Sequence, residues 1–270
     1  MSREGIEGLR SPLAADVELH EELGSTQHRA RELAREGAPH GTLVVSKIQT
    51  VGRGRLGRRW GSPAGGLWMS LVLRLGIPTR VAARITQTAA VAVAKSLREM
   101  GVEAKIKWPN DLLVRGRKIC GILAESSIEN VPVAAKRVGS GEGRQVDFVV
   151  LGVGLNADLD PQDLGVVENE ATTLRSELGR AVDLLALLGS VLSHLDSELS
   201  RIDDFESILE DWRALDCTLG ERVRVRRFGE VLEGEALDLG LEGALLLKTS
   251  DGVVELFEGE IERLRRERSA

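Results

Sequence analysis

Apolar positions along this chain change period several times, and each change marks an element. The run "TLVVSKI" (42–48) is β-branched and nearly continuous, and "GLWMSLVLRL" (66–75) alternates, so both predict strands. Upstream of both, "GSTQHRARELAREG" (24–37) carries Ala30, Leu33 and Ala34 at helical spacing. Ser25 and Thr26 are its candidate caps and Gly37 its stop. The alanine-rich "RVAARITQTAAVAVAKSLREMG" (80–101) predicts a long helix ending at Gly101. Further strands follow in "AKIKWP" (104–109), "DLLVRGRKICGILAES" (111–126) and "VDFVVLGVGLN" (146–156). The middle one folds back as a hairpin at Arg115-Gly116-Arg117. The polar, glycine-rich "KRVGSGEGRQ" (136–145) reads as a flexible hairpin loop.

Leucines at helical spacing over 181–215 predict one or two amphipathic helices. Period two then takes over from Glu221, with glycine at each turn, which predicts a small antiparallel barrel of about five short strands. The boundary falls near Thr218–Glu221, giving a catalytic-type domain over 1–217 and a small domain over 218–270. Strands joined by hairpins with helices inserted argue for an α+β fold with a mixed, mainly antiparallel sheet. In the first strand of the small domain, alternation sends Arg222, Arg224 and Arg226 to one face, opposite Val223 and Val225. A solvated outer face is the expectation there, with Arg227 beside it.

Composition narrows the function. The chain has 270 residues, is 42% hydrophobic and 29% charged, and carries a net charge of −6. Those values suit a globular protein and argue against a surface that grips nucleic acid throughout. Cys120 and Cys217 lie far apart, and the four histidines form no zinc spacing. Cys120, inside "ICGIL", reads as a buried thiol. No signal-peptide core opens the chain, and the apolar stretch "LLALLGSVL" (184–192) is too short for a bilayer. A cytoplasmic protein without membrane contact is expected.

Candidate chemistry begins with "GRGRLG" (52–57), which has the spelling of a dinucleotide-binding loop. That reading needs a helix directly after the glycines, and "RRWGSPAGG" excludes one. What remains is a glycine-jointed loop with Arg53, Arg55, Arg58 and Arg59, bracketed by Gln49 and Trp60. Guanidinium groups suit carboxylate and phosphate oxygens. A solvated basic loop is the plainer alternative.

Three more segments are unusual. "KWPND" (107–111) brings Lys107, an aromatic plate, Asn110 and Asp111 into one turn, where the last two could equally cap their own backbone. Lys118 opens the apolar strand "RKICGIL", either to snorkel or to supply a cation to a pocket. Asn156 ends "GVGLN", either to read a base edge or to terminate the strand. Ser25, Thr26 and Gln27 could receive a small polar ligand, although capping explains the first two almost as well.

"QTVGRGRLGRRW", "KWPND", "RKICGIL" and "GVGLN", in this order after Ser-Thr-Gln and before "ATTLRSELG", closely resemble the biotin protein ligase family. The resemblance runs from about Gly24 to Gly179 and resumes in the C-terminal segment. It implies the biotin–lipoate ligase fold, related to class II aminoacyl-tRNA synthetases, with an SH3-like C-terminal barrel. It also implies a reaction in which biotin and ATP give biotinoyl-AMP and pyrophosphate. The biotinoyl group then passes to a lysine of a biotin carboxyl carrier protein. By the same resemblance Ser25, Thr26, Gln27, Gln49, Arg53, Gly54, Arg55 and Lys118 are expected on the biotin side. Trp60, Lys107, Asn110, Asp111 and Asn156 are expected on the nucleotide side, with Asp111 near Mg²⁺. Lys118, Arg53 and Arg55 would carry the catalysis.

One position departs from the family: Gln27 stands where Asn is usual, which puts its contact to biotin in question. About two dozen residues precede Ser25, too few for the DNA-binding domain of some relatives, so no DNA partner is expected. A monomer or a homodimer fits equally. The alternatives are a lipoate or octanoate ligase of the same fold, which the arginine loop and "KWPND" disfavour, and a nucleic-acid-binding module. Four Trp, four Phe and no Tyr give the last little to stack with.

Overall fold

Seven strands form one mixed sheet, and the chemistry of its two faces explains where the cleft lies. The computed structural model describes residues 1–78, 82–128, 146–165 and 170–264; the expected loop at 136–145 lies outside them. The strands are β1 (Asp16–Leu23), β2 (Thr42–Gln49), β3 (Leu67–Leu73), β4 (Lys105–Lys107), β5 (Asp111–Val114), β6 (Arg117–Ile128) and β7 (Val146–Leu155). Their order is β1-β2-β3-β7-β6-β5-β4. Only β1 and β2 run parallel. The other ladders are antiparallel, so the sheet is the mixed, mainly antiparallel one expected. The β5–β6 turn has Arg115 and Gly116 at φ 51 and 80, the two left-handed positions of a two-residue hairpin.

Helices α1 (Arg3–Glu7), α2 (Thr26–Arg35), α3 (Arg84–Glu99), α4 (Leu174–Leu178), α5 (Leu184–Ser200) and α6 (Phe205–Leu215) complete the large unit. The packing of α3 on α5, α6 and the sheet makes the main core. The strands face it with Leu67, Met69, Leu71 and Leu73 of β3 and Val149, Leu151, Val153 and Leu155 of β7. On the opposite face α2 sets Ala30 and Ala34 against Val44, Val72, Phe148 and Val150. Beyond the N-terminus of α2 that second face continues with small residues: Ser70 on β3, Gly152 and Gly154 on β7, Gly121 on β6. Small side chains there leave room that helix packing would otherwise fill.

No element was expected before residue 24, yet α1 and β1 lie there. Ile6 and Leu13 are buried, and β1 joins β2 through the α2 crossover that parallel pairing requires. Ser25 occupies the N-cap position of α2 without donating or accepting a capping bond, so the capping explanation does not hold for it.

The tail folds as β8 (Arg222–Arg227), β9 (Glu230–Leu239), β10 (Leu245–Thr249), β11 (Gly252–Leu256) and β12 (Glu260–Arg263). They form an antiparallel sheet in the order β11-β10-β9-β8-β12. Among the described residues no ladder closes it into a barrel between β11 and β12. Val223 and Val225 are buried. Across from them, Arg224 pairs with Glu233 and Glu262, and Arg226 with Glu262. The small sheet is tied to the large unit by bidentate Arg213–Asp238 pairing (2.9 and 3.0 Å) and by Gln87 Nε2 donating to the Gly243 carbonyl. The Trp108 amide also donates to Thr218 Oγ1 (3.1 Å).

Candidate functional site

A cleft of about 460 Å³ opens on the small-residue face, between the N-terminus of α2, the arginine loop and the "KWPND" turn. It gathers all thirteen site residues named from the sequence: Ser25, Thr26, Gln27, Gln49, Arg53, Gly54, Arg55, Trp60, Lys107, Asn110, Asp111, Lys118 and Asn156. Segments up to about 130 residues apart thus converge on one cavity of a size usual for small-molecule sites.

Its floor is polar and mostly satisfied from within. Gln49, read from the sequence as a loop residue, caps α2: its Oε1 accepts from the Thr26 amide (2.8 Å), and its Nε2 donates to Ser62 Oγ (2.8 Å). Thr26 Oγ1 lies 2.9 Å from Ser70 Oγ. Gln27 is buried, and its Nε2 donates to Glu125 Oε2 (2.9 Å) and to the Val150 carbonyl (3.1 Å). Ser25 Oγ, by contrast, is buried without a partner, which leaves it free for a ligand.

The arginine loop does not lead into a helix. Bridges Gln49↔Ser62 and Arg53↔Arg59 fold it back on itself, with one 3₁₀ turn at Arg55–Gly57. Its arginines divide in role. Arg53 is exposed, Arg58 pairs with Glu260 of β12, and Arg59 Nη2 donates to the Thr50 carbonyl (3.0 Å). Arg55 is half-buried, with Nη1 donating to Asn110 Oδ1 (3.2 Å). Burial pushes its pKa down, against the opposing pull of Glu258, Asp111 and Glu260, so a desolvated cation points into the cleft.

Trp60 closes the loop by lying across two glycines that face each other in neighbouring strands, Gly121 and Gly154. A Cβ at Gly154 would stand 2.7 Å from Trp60 Nε1, and one at Gly121 2.9 Å from Cζ3. Lys118 Nζ sits 4.9 Å from the centre of that ring and 2.6 Å from Asp111 Oδ1. It is therefore no snorkelling strand residue but a second cation in the cleft, held between a carboxylate and an aromatic face.

Asn110 Nδ2 donates to the Ile122 carbonyl (2.8 Å), which fixes its Oδ1 toward Arg55. Asn156 Nδ2 donates to the carbonyls of Thr172 (3.0 Å) and Lys118 (3.4 Å), leaving only a buried, unpartnered Oδ1 for a ligand. Among the described residues no group of three or more His, Cys, Asp or Glu could cage a metal. Sequence reasoning missed Ser62, Ser70, Glu125 and the cleft-facing glycines. The "GVG" of β7, with two glycines two positions apart, was the available signal for a flattened strand face. The small sheet also reaches the cleft, which Gly259, Glu260 and Ile261 line.

Residues 21–141 match the model of the biotin/lipoate A/B protein ligase family, and residues 218–264 that of the biotin protein ligase C terminal domain. The chain is similar to the bifunctional ligase/repressor BirA of Bacillus subtilis, at 36% identity over 90% of this chain and 72% of that protein. It is also similar to the biotin--[acetyl-CoA-carboxylase] ligase of Paracoccus denitrificans, at 35% identity over 84% of this chain and 92% of that protein. In structure it is similar to the biotin protein ligase from Aquifex aeolicus in complex with biotin and ATP. That likeness has a TM-score of 0.73 and 27% identity, over 93% of this chain and 99% of the other.

Proposed function

The chain belongs to the biotin protein ligase family, and from that premise we propose how its cleft works. Biotin's carboxylate oxygen attacks the α-phosphorus of ATP, and pyrophosphate leaves. The amine of a carrier-protein lysine then attacks the carbonyl carbon of biotinoyl-AMP, losing a proton as AMP departs. The observation that carries this reading is the pair of cations, Arg55 and Lys118, facing one cleft from two separate elements. Two anions that repel each other need such fixed positive charge in order to approach, and positioned charge supplies much of catalysis.

Ser25 and Thr26, on the polar floor, would bind the ureido ring. Arg53 and Gly54 belong to the loop that would close over biotin and shield the mixed anhydride from water. On the nucleotide side stand Trp60, Lys107, Asn110 and Asn156. Asp111 offers one hard oxygen ligand, which suits Mg²⁺ only when phosphates supply the rest. The ion would neutralise phosphate charge there. The acceptor is a biotin carboxyl carrier protein. Two free thiols and dependence on ATP fit a cytoplasmic setting. No helix of the described residues is long and apolar enough to cross a membrane.

The test is formation of biotinoyl-AMP from ATP and radiolabelled biotin, with lipoate in parallel, by the wild type and by Lys118→Ala. Biotin and not lipoate should be activated. Loss of a charge-assisted contact of roughly 1.5–3 kcal/mol should slow the variant at least about tenfold. Adenylate formation at the wild-type rate in Lys118→Ala would remove that lysine from the mechanism.

A further inference from the structure

Polar side chains between the cleft floor and the arginine loop form one continuous hydrogen-bond relay, and both its ends have fixed polarity. At one end Gln27 Nε2 donates to Glu125 Oε2 and to the Val150 carbonyl. Both partners can only accept, and Arg31 holds the Glu125 carboxylate at 2.7 Å. The amide therefore has one orientation, and its Oε1 takes the hydrogen of Ser70 Oγ (3.1 Å). At the other end the Thr26 amide N–H can only donate, so Gln49 presents Oε1 to it and Nε2 to Ser62. Ser62 Oγ in turn donates to the Trp60 carbonyl (3.2 Å) at the base of the loop.

Between these ends stands Thr26 Oγ1, 2.9 Å from Ser70 Oγ and 3.1 Å from Gln49 Oε1. Ser70 has already committed its hydrogen to Gln27, and Gln49 Oε1 has none to give. The Thr26 hydrogen is thus directed to the protein, leaving a lone pair on the oxygen for the cleft that Thr26 borders.

We infer that Gln27 is a positioning residue for the ligand's cyclic urea, acting through Ser70 to keep the Thr26 hydroxyl an acceptor toward a ligand N–H. The inference rests on the function proposed above. A urea presents N–H groups beside a carbonyl, and the unpartnered Ser25 Oγ supplies the matching donor for that carbonyl. Gln27 itself is engaged at both ends of its amide by the protein, so its part is indirect. A Cβ at Gly152 would stand 2.5 Å from Gln27 Oε1, so this long side chain reaches Ser70 only because β7 has no side chain there. An Asn in its place, one methylene shorter, would hold Glu125 or Ser70 but not both.

A double-mutant cycle tests this with the full chain: wild type, Gln27→Met, Ser70→Ala and the double variant, titrated with biotin by calorimetry. Each single change should weaken biotin about tenfold, and the double should be no weaker than the worse single. In steady-state assays the biotin KM should rise while the ATP KM and kcat hold, a split that a general loss of folding would not give. If the two effects multiply, Gln27 touches the ligand independently and the inference is wrong. It is equally wrong if Gln27→Met binds biotin like the wild type. Should Gln27→Met not fold, Gln27→Leu, which likewise offers Ser70 no acceptor, takes its place in the same cycle with the same expected results. A folded wild type that does not bind biotin overturns the proposed function, and this inference with it.

Discussion

Gly154→Ala is a one-carbon change whose consequence is set by the indole lying on it. The added Cβ would stand 2.7 Å from Trp60 Nε1, 2.9 Å from Cε2 and 3.3 Å from Cζ2. Ordinary contact between such atoms is about 3.5–4.0 Å, so something must move by close to 1 Å. The strand is the stiffer side. Gly154 pairs with Trp68 of β3 and with Gly121 of β6, and displacing it would strain two ladders at once. Trp60 is held by its amide to the Gly52 carbonyl (2.9 Å), by Ser62 Oγ at its own carbonyl (3.2 Å) and by an edge contact with the Trp68 ring, but none of these ties it into a strand ladder. The ring should lift. Overpacking of this kind costs about 1–3 kcal/mol. Lys118, 4.9 Å from the ring centre, would also lose a cation–π contact of roughly 0.5–1 kcal/mol.

If about 1.4 kcal/mol of this reaches the transition state, kcat/KM falls about tenfold. Pyrophosphate release, measured with biotin and ATP varied in turn, gives the number. A Trp60→Ala background supplies the control, because without the ring the alanine methyl has nothing to displace. Wild-type kinetics for Gly154→Ala, or a loss of equal size in both backgrounds, would refute the idea that this glycine exists to seat Trp60.

How much of this was legible in the chain depends on whether a residue's partner is near it in sequence. Strands β2, β3 and β7 and helix α3 show in the apolar period because each is buried along most of its length. Strand β1 does not, because "DVELHEEL" sits at the sheet edge, where only Val17 is fully buried and Asp16, Glu21 and Glu22 face solvent. Its existence is decided by the parallel ladder to β2, whose partners are 26 residues away. The candidate site residues were recognisable as chemical types, but what each one touches was not. Gln49 capping α2, Glu260 holding Arg58 and Asp111 holding Lys118 are facts of the tertiary fold. Ser62 and Ser70 were invisible because a lone serine in a strand or loop carries no signal until its neighbours are known. Alternation likewise gave the strands and faces of the small antiparallel sheet but not whether its edge strands meet, and among the described residues no ladder joins β11 to β12.

Two further outcomes can be measured. Trypsin should cut the free protein fast at the exposed Arg53, Arg58 and Arg59, and biotin with ATP should suppress that cleavage; equal rates with and without ligands would mean that the loop does not close. The other outcome concerns acid. Glu18 of β1 accepts from Arg29 of α2 at 2.9 and 2.8 Å and from His20 at 3.0 Å. Chiefly through the Arg29 hydrogen bonds, its pKa falls from 4.5 to about 2. A carboxyl depressed in the folded state stabilises the fold above its unfolded pKa and stops doing so as pH drops through the folded one. The pair lies partly in solvent, and screening reduces its worth to about 1 kcal/mol. Urea unfolding should therefore find Glu18→Gln less stable than the wild type by about that amount at pH 7 and at pH 5. The gap should shrink between pH 4.5 and pH 2. A difference that stays constant down to the acid limit would mean that Glu18 contributes through packing of the edge strand rather than through its charge.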